Sequence, residues 1–285
     1  MSELRELVAE ELSVPVDPRV SAMAEAIAAR HAPASRAVLF YGSCLREKAL
    51  DGLMLDFYLI VSDYRSAYSK RWLASANRLI PPNVFYFEQH GLAAKYAVLS
   101  EADFHRLNGP ETRSVSVWAR FAQPSRLVWT ADGAARQRVI AAVSRAAPTL
   151  LAAAGKRDGE KPLDWWRRAF SLTYSAELRA EKSARSVSVV DADRERYVRF
   201  TAPAEAAMER AARTSWRRRR IEGKLLSVAR LAKASATFAG GPDYIAWKIN
   251  RHAGTEIRLK DWQRRWPLLA AISLLPRLLK TGVVR

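Results

Sequence analysis

Between Phe40 and Val61 the chain reads FYGSCLREKALDGLMLDFYLIV: an apolar run ending in Tyr41-Gly42-Ser43, a short polar insert, then a second apolar run with Asp56 inside it. Short apolar runs bounded by turn residues read as buried strands. The pattern therefore predicts two strands around a glycine turn, with one carboxylate set into a strand that is otherwise apolar. Gly42 has no Cβ, so the backbone there can approach a phosphate closely, and the Ser43 hydroxyl adds a donor to the amides of the turn. A carboxylate in such a strand costs free energy unless a cation compensates it, and Mg²⁺ bridging nucleotide phosphates is one such cation. Two readings follow. In the first, Gly42 and Ser43 cradle a triphosphate opposite a metal ion on Asp56. In the second, a Gly-Ser turn simply ends a strand and Asp56 makes an ordinary salt bridge.

The 285 residues suffice for one large domain or two ordinary ones, and a hydrophobic content of 49% supports a sizeable core. Lys and Arg number 47 against 29 Asp and Glu, a net charge of +18, which points to a polyanionic partner: nucleic acid, a nucleotide or an anionic membrane surface. The N-terminal stretch is acidic (Glu3, Glu6, Glu10, Glu11) and lacks the basic flank of a signal peptide. A single cysteine, Cys44, excludes an internal disulfide and a cysteine metal cluster, which fits a reducing compartment. The longest apolar stretch, Trp266 to Leu275, is broken by Pro267 and Ser273 and falls short of the roughly 20 residues a spanning helix needs. The expectation is a cytoplasmic chain that does not cross a membrane.

Residues 1–35 carry helical patterns, and 36–130 alternate. Strands are predicted at Arg36–Tyr41, Leu55–Ser62, Val84–Glu88, Ala94–Leu99 and Arg126–Thr130, with Gln89-His90-Gly91 as a hairpin turn and Ser100 as a helix start. From Asp132 onward apolar residues recur at helical spacing, and the stretch GKRDGEKP (155–162) breaks two helices. The fold class expected is an α/β domain, a mixed sheet with flanking helices over 1–131, followed by a mainly α region over 132–254 and an amphipathic segment over 255–285.

A nucleotidyl-transfer site needs carboxylates, small residues and cations, because metal ions must neutralise charge as pyrophosphate leaves. Asp56 ranks first as a metal ligand, Asp51 second and poorer because it precedes Gly52 in a loop, and Glu88, at the end of what is expected to be the neighbouring strand, third. Two acidic residues alternating on one strand would face the same side. Here the partner positions are Met54 and Tyr58. Lys95, in a strand between Ala94 and Tyr96, is expected to meet a phosphate or a carboxylate such as Asp56. The four histidines, His31, His90, His105 and His252, share no spacing and are read as surface groups.

The segments Phe40-Tyr41-Gly42-Ser43, Met54-Leu55-Asp56-Phe57 and Lys95-Tyr96-Ala97-Val98-Leu99-Ser100, followed by Ala119-Arg120-Phe121 with Pro124 and by Thr173-Tyr174-Ser175-Ala176-Glu177-Leu178-Arg179, run in an order that resembles the mitochondrial-type phosphatidate cytidylyltransferases. These form the translocator assembly and maintenance family of the nucleotidyltransferase superfamily. Tyr244 and Lys248 extend the likeness to roughly residue 250. Cys44 replaces a second glycine of the pattern, and Ala176-Glu177 replaces a Gly-Asp pair. The resemblance implies an enzyme that joins CTP to phosphatidic acid, giving CDP-diacylglycerol and pyrophosphate with Mg²⁺ as cofactor, and a winged-helix-like second domain. It also implies roles for Asp56, Lys95 and Glu177 in catalysis and for Gly42, Ser43, Arg120 and Tyr174 in nucleotide binding. On a helix Tyr174 and Glu177 would share a face. A phosphate monoester with a second pKa near about 6 is already largely dianionic at neutral pH, so such an acceptor needs no general base.

Arg213, Arg217–Arg220, Lys224, Arg230 and Lys233 make a strongly cationic helical region that reads as an anion surface. Downstream, Trp262, Trp266, Leu269 and Ile272 lie on an apolar stripe flanked by Arg264, Arg265, Arg277 and Lys280. That composition suits a helix lying in the headgroup region of anionic lipid, or one packed on the protein's own core. The expected partners are CTP, phosphatidic acid and an anionic membrane bound peripherally, with no specific nucleic acid.

Overall fold

A computed structural model of the chain describes residues 2–46, 50–177, 189–209 and 214–237. The expectations for Arg179, for Tyr244 and Lys248, and for the amphipathic segment with Trp262, Trp266, Leu269 and Ile272 lie outside the described residues.

Helix α1 (Glu3–Leu12) buries Leu4, Val8 and Leu12, spaced to share one face. Helix α2 (Pro18–Ala29) opens with proline in its first turn, and the Asp17 carboxylate accepts from the Arg19 amide at 2.8 Å. Strands β1 (Ser35–Tyr41), β2 (Met54–Val61), β3 (Asn83–Gln89), β4 (Leu92–Ser100) and β5 (Ser125–Thr130) fall within one or two residues of their predicted positions. They form a mixed sheet in the order β3-β4-β2-β1-β5. β2 and β4 run parallel, and the other neighbours are antiparallel. The return from β2 passes through α3 (Tyr64–Ala67) and α4 (Arg71–Leu79) before the β3–β4 hairpin. That hairpin turns on His90 (φ 49°) and Gly91 (φ 75°), the two positive angles a tight hairpin loop requires.

The period-two alternation of the strands divides the core between the two faces of the sheet. On one face Val38, Phe40, Phe57, Leu59, Tyr96 and Val98 pack beneath α2, α3 and α4. On the other, Ala37, Leu39, Tyr58, Ile60, Ala97 and Leu99 join one continuous core with α1, α5 (Glu101–Asn108) and α6 (Trp118–Phe121). The same core takes in α7 (Gly133–Val143), α8 (Ala146–Ala154), α9 (Pro162–Ala176) and α10 (Arg194–Ala206), so helices on both sides of residue 131 share it with the sheet. Arg196 of α10 ties down α1 through Glu11, its Nη2 donating to Oε1 at 3.1 Å. The long helix α11 (Trp216–Thr237) lies along α9 and the β3 edge. No described helix is long and apolar enough to cross a membrane.

The reading of every histidine as a surface group is corrected at His31, which is buried. Its Nδ1 lies 3.0 Å from the Ala67 carbonyl and its Nε2 3.1 Å from the Tyr96 hydroxyl. A lone histidine in the turn between α2 and β1 carries no burial signal of its own, and the fold over it decides.

Candidate active site

β1 ends at Tyr41, and the chain then turns sharply at Gly42, whose φ of +96° is disfavoured for any residue with a side chain. A 3₁₀ turn over Ser43–Arg46 follows, so Ser43 stands at its start, and the buried Cys44 thiol anchors it by donating to the Met54 carbonyl at 3.5 Å. Antiparallel register sets Tyr41 opposite Asp56, which brings the carboxylate beside the turn. A Cβ on Gly42 would stand 3.3 Å from Asp56 Oδ2, so the glycine keeps that oxygen's approach clear. On its other side Asp56 is level with Lys95 in the parallel β2–β4 pair, and Lys95 Nζ lies 3.0 Å from Oδ1. The side chains remain 20% exposed for Asp56 and 28% for Lys95, enough for a ligand to reach both. A row thus crosses the sheet: Ser125, Tyr41, Asp56, Lys95 and Tyr86.

Beneath this row the face closes over aromatic rings. Tyr41 and Tyr58 stand 5.2 Å apart, with Phe121 at 6.0 Å and 5.1 Å from them. Burial raises the pKa of both tyrosines, Asp56 adding to the effect, while Arg120 pulls the other way. Both hydroxyls are therefore neutral near pH 7 and act as hydrogen-bonding groups rather than bases. Arg120, from α6, bonds the Ser116 carbonyl and reaches Glu177 Oε1 at 3.5 Å. Burial opposes its charge, but Glu177, with Tyr58, Tyr41 and Asp56, outweighs burial and raises the arginine pKa. Asp56, Lys95, Gly42, Ser43, Arg120 and Glu177 thus belong to one neighbourhood at the end of the sheet.

Three expectations change. Glu88 does not lie on the strand next to Asp56, because β4 intervenes; it is exposed and accepts from the Tyr86 hydroxyl at 2.7 Å. Tyr174 and Glu177 do not share a helical face. α9 ends at Ala176, and Glu177 is extended (φ −116°, ψ 153°), which turns its carboxylate to Arg120; Tyr174 packs against the core. The cationic region is not uniformly an anion surface, since some of its side chains face inward. Arg219 is buried and donates to the Arg113 carbonyl at 2.7 Å, and Arg230 donates to the Pro81 carbonyl at 2.8 Å. Lys233 Nζ reaches the carbonyls of Ile80 and Pro82.

Tyr58 and Arg230 are additions to the site. The strand period places Tyr58 beneath Asp56, but nothing in the sequence links it to Arg230. Burial lowers the pKa of Arg230, with Tyr58 and Glu177 opposing that fall and Arg120 reinforcing it. Asp51, 79% exposed, faces Arg19 at 3.4 Å.

Among the described residues no three His, Cys, Asp or Glu side chains gather into a metal cage. Mg²⁺ commonly binds through one or two carboxylates plus substrate phosphates while keeping several waters. One half-open carboxylate beside a cleared glycine turn fits an ion that arrives with a triphosphate, and Asp56 would hold it. No family model matches the chain, and no curated protein matches it either.

Proposed function

We propose that the chain is a Mg²⁺-dependent nucleotidyltransferase. Its resemblance to the mitochondrial-type phosphatidate cytidylyltransferases supports the finer reading: transfer of a cytidylyl group from CTP to phosphatidic acid at a membrane surface, as a peripheral protein of the cytoplasm with a winged-helix-like second domain. The observation that carries the proposal is Asp56, held between Gly42 on one side and Lys95 on the other at the end of the sheet.

In this reading the Gly42–Ser43 turn takes the triphosphate, and Asp56 would hold the Mg²⁺ ion that arrives with it. Bound Mg²⁺ supplies neutralisation of the charge that builds on the departing pyrophosphate. Lys95 adds a compact positive charge beside the phosphates. Arg120 is kept cationic and oriented by Glu177, so it can grip a phosphate or the acceptor's headgroup. The acceptor phosphate oxygen attacks the α-phosphorus in line, and because that oxygen is already anionic the site has no need of a base. The neutral Tyr41 and Tyr58 serve as hydrogen-bonding groups.

The 3.0 Å contact of Lys95 with Asp56 favours one competing reading, a non-catalytic basic protein in which the pair only holds two strands together. Incubating the protein with labelled CTP, Mg²⁺ and phosphatidate vesicles separates the two. Label entering the lipid fraction, and its loss in Asp56→Asn, is the expected result. Transfer to soluble acceptors alone would overturn the lipid assignment, and ligand binding without turnover in any combination would leave the structural pair.

A further inference from the structure

Helix α11 separates its described side chains into two arcs, and the inner one is turned to the protein. Arg219, Arg230 and Lys233 bond backbone carbonyls, while Gly223 meets α9 so closely that a Cβ there would collide with the Ala176 carbonyl oxygen. At 3.6 residues per turn, Ile221, Leu225 and Val228 fall together on the opposite side. They are 55%, 65% and 39% exposed. Arg217, Arg220 and Lys224, all exposed, flank them on the same outward arc. The helix's one acid, Glu222, is turned aside to Arg218 at 2.8 Å and Arg113 at 3.3 Å. The outward arc is therefore apolar and cationic, with no carboxylate among its residues.

We propose that this outward face of α11 docks on an anionic lipid bilayer, with Ile221, Leu225 and Val228 entering the headgroup boundary and Arg217, Arg220 and Lys224 meeting lipid phosphates. Charge complementarity argues for this occupant. A nucleic-acid surface is met chiefly by cations and polar groups on phosphates, and three adjacent aliphatic side chains bury less there than in a lipid headgroup boundary. The core of a protein interface is depleted of lysine, whereas aliphatic residues beside Lys and Arg are the composition of an interfacial helix. A net charge of +18 draws the whole chain to the same surface. It rests on the peripheral membrane association proposed above, and because its test reads binding rather than turnover, its failure is distinguishable from that of the nucleotidyltransferase reading.

The full chain is sedimented with vesicles of phosphatidylcholine alone and of phosphatidylcholine mixed with phosphatidylglycerol. Two triple variants, Ile221→Ser/Leu225→Ser/Val228→Ser and Arg217→Gln/Arg220→Gln/Lys224→Gln, are compared with the parent after far-ultraviolet circular dichroism establishes equal helicity. Binding only to the anionic vesicles, weakened roughly tenfold or more in the serine variant, is expected. In Leu225→Cys, labelled with an environment-sensitive fluorophore while Cys44 stays buried, emission should shift to the blue when vesicles are added. Equal partitioning of the serine variant and the parent overturns the proposal. A probe whose emission ignores vesicles does so as well, which is the outcome if another segment or a protein covers this face. Binding of single-stranded RNA that depends on the three cations, without vesicle binding, assigns the face to nucleic acid and rejects it.

Discussion

Phe57 and Asp56 are neighbours on β2 that point to opposite faces of one sheet. Phe57 is sealed beneath α2 to α4, its ring 5.2 Å from Phe40, in a region where even the polar group His31 has protein partners at both nitrogens. Asp56 lies on the face that carries Arg120 of α6 and Glu177 just beyond α9, and it keeps one-fifth of its side chain in solvent at the end of the sheet. The polarity of His31 in the first face is structural, because a carbonyl and a hydroxyl partner consume it. Polarity at the end of the second is positioned by the protein yet left accessible, and that difference is what makes it the candidate site.

The sharpest way to break this comparison is to substitute the two neighbours. Asp56→Asn should lower nucleotidyl transfer by about 10²–10³-fold, the scale of losing an electrostatic anchor of the transition state, while shifting stability by no more than about 1 kcal/mol. Phe57→Ala should do the reverse, losing about 3–5 kcal/mol of stability through the cavity it leaves. Initial rates and urea midpoints on both variants decide it, and a transfer-competent Asp56→Asn would remove the distinction between the faces.

Next in size is Gly42→Ala. A side chain at φ +96° and 3.3 Å from Asp56 Oδ2 should cost about 1–3 kcal/mol and weaken nucleotide affinity. Thermal melts with and without CTP and Mg²⁺ read both effects.

A smaller effect probes the sealed face. Burial, the largest cause, and the nearby Arg30 charge lower the pKa of His31 from its ordinary 6.5, despite the Ala67 carbonyl. The unfolded chain therefore binds a proton that the folded one resists, so the stability is complete above pH 6.5 and falls as pH drops through and below it. Urea midpoints from pH 7.5 to 5 should fall more steeply for the parent than for His31→Gln. Parallel profiles would place His31 outside the sealed core.

A further pH effect lies at the edge of the site face, where burial and Arg230 lower Lys233 from 10.5 to about 8. Its folded-state penalty is present below pH 8 and is relieved as pH rises towards 10.5. The parent should gain stability relative to Lys233→Met over that window. A constant difference would mean that the ammonium is solvated rather than docked on the 80–82 carbonyls.

The strands were legible because apolar alternation, the Gln89-His90-Gly91 turn and the Ser100 cap act over a few residues. Asp56 was legible for the same reason, as a carboxylate out of place in an apolar run, and Lys95 as a cation in a strand. Glu88 misled because strand order is not encoded locally: the parallel β2–β4 pairing inserts β4 between Glu88 and Asp56. Arg219, Arg230 and Lys233 looked like surface charge because sequence lists cations without saying which carbonyls another segment will bring to them.

By itself, the sequence determined the five strands, the glycine turn and the intruding carboxylate, all consequences of short-range sterics and of the cost of burying charge. What surrounds them follows from long-range packing: Arg120 turns to Glu177 across the end of α9, Tyr58 and Arg230 join the candidate site, and α11 presents Ile221, Leu225 and Val228 outward. Those contacts join segments far apart in the chain, and their geometry follows from how whole helices pack on a finished sheet.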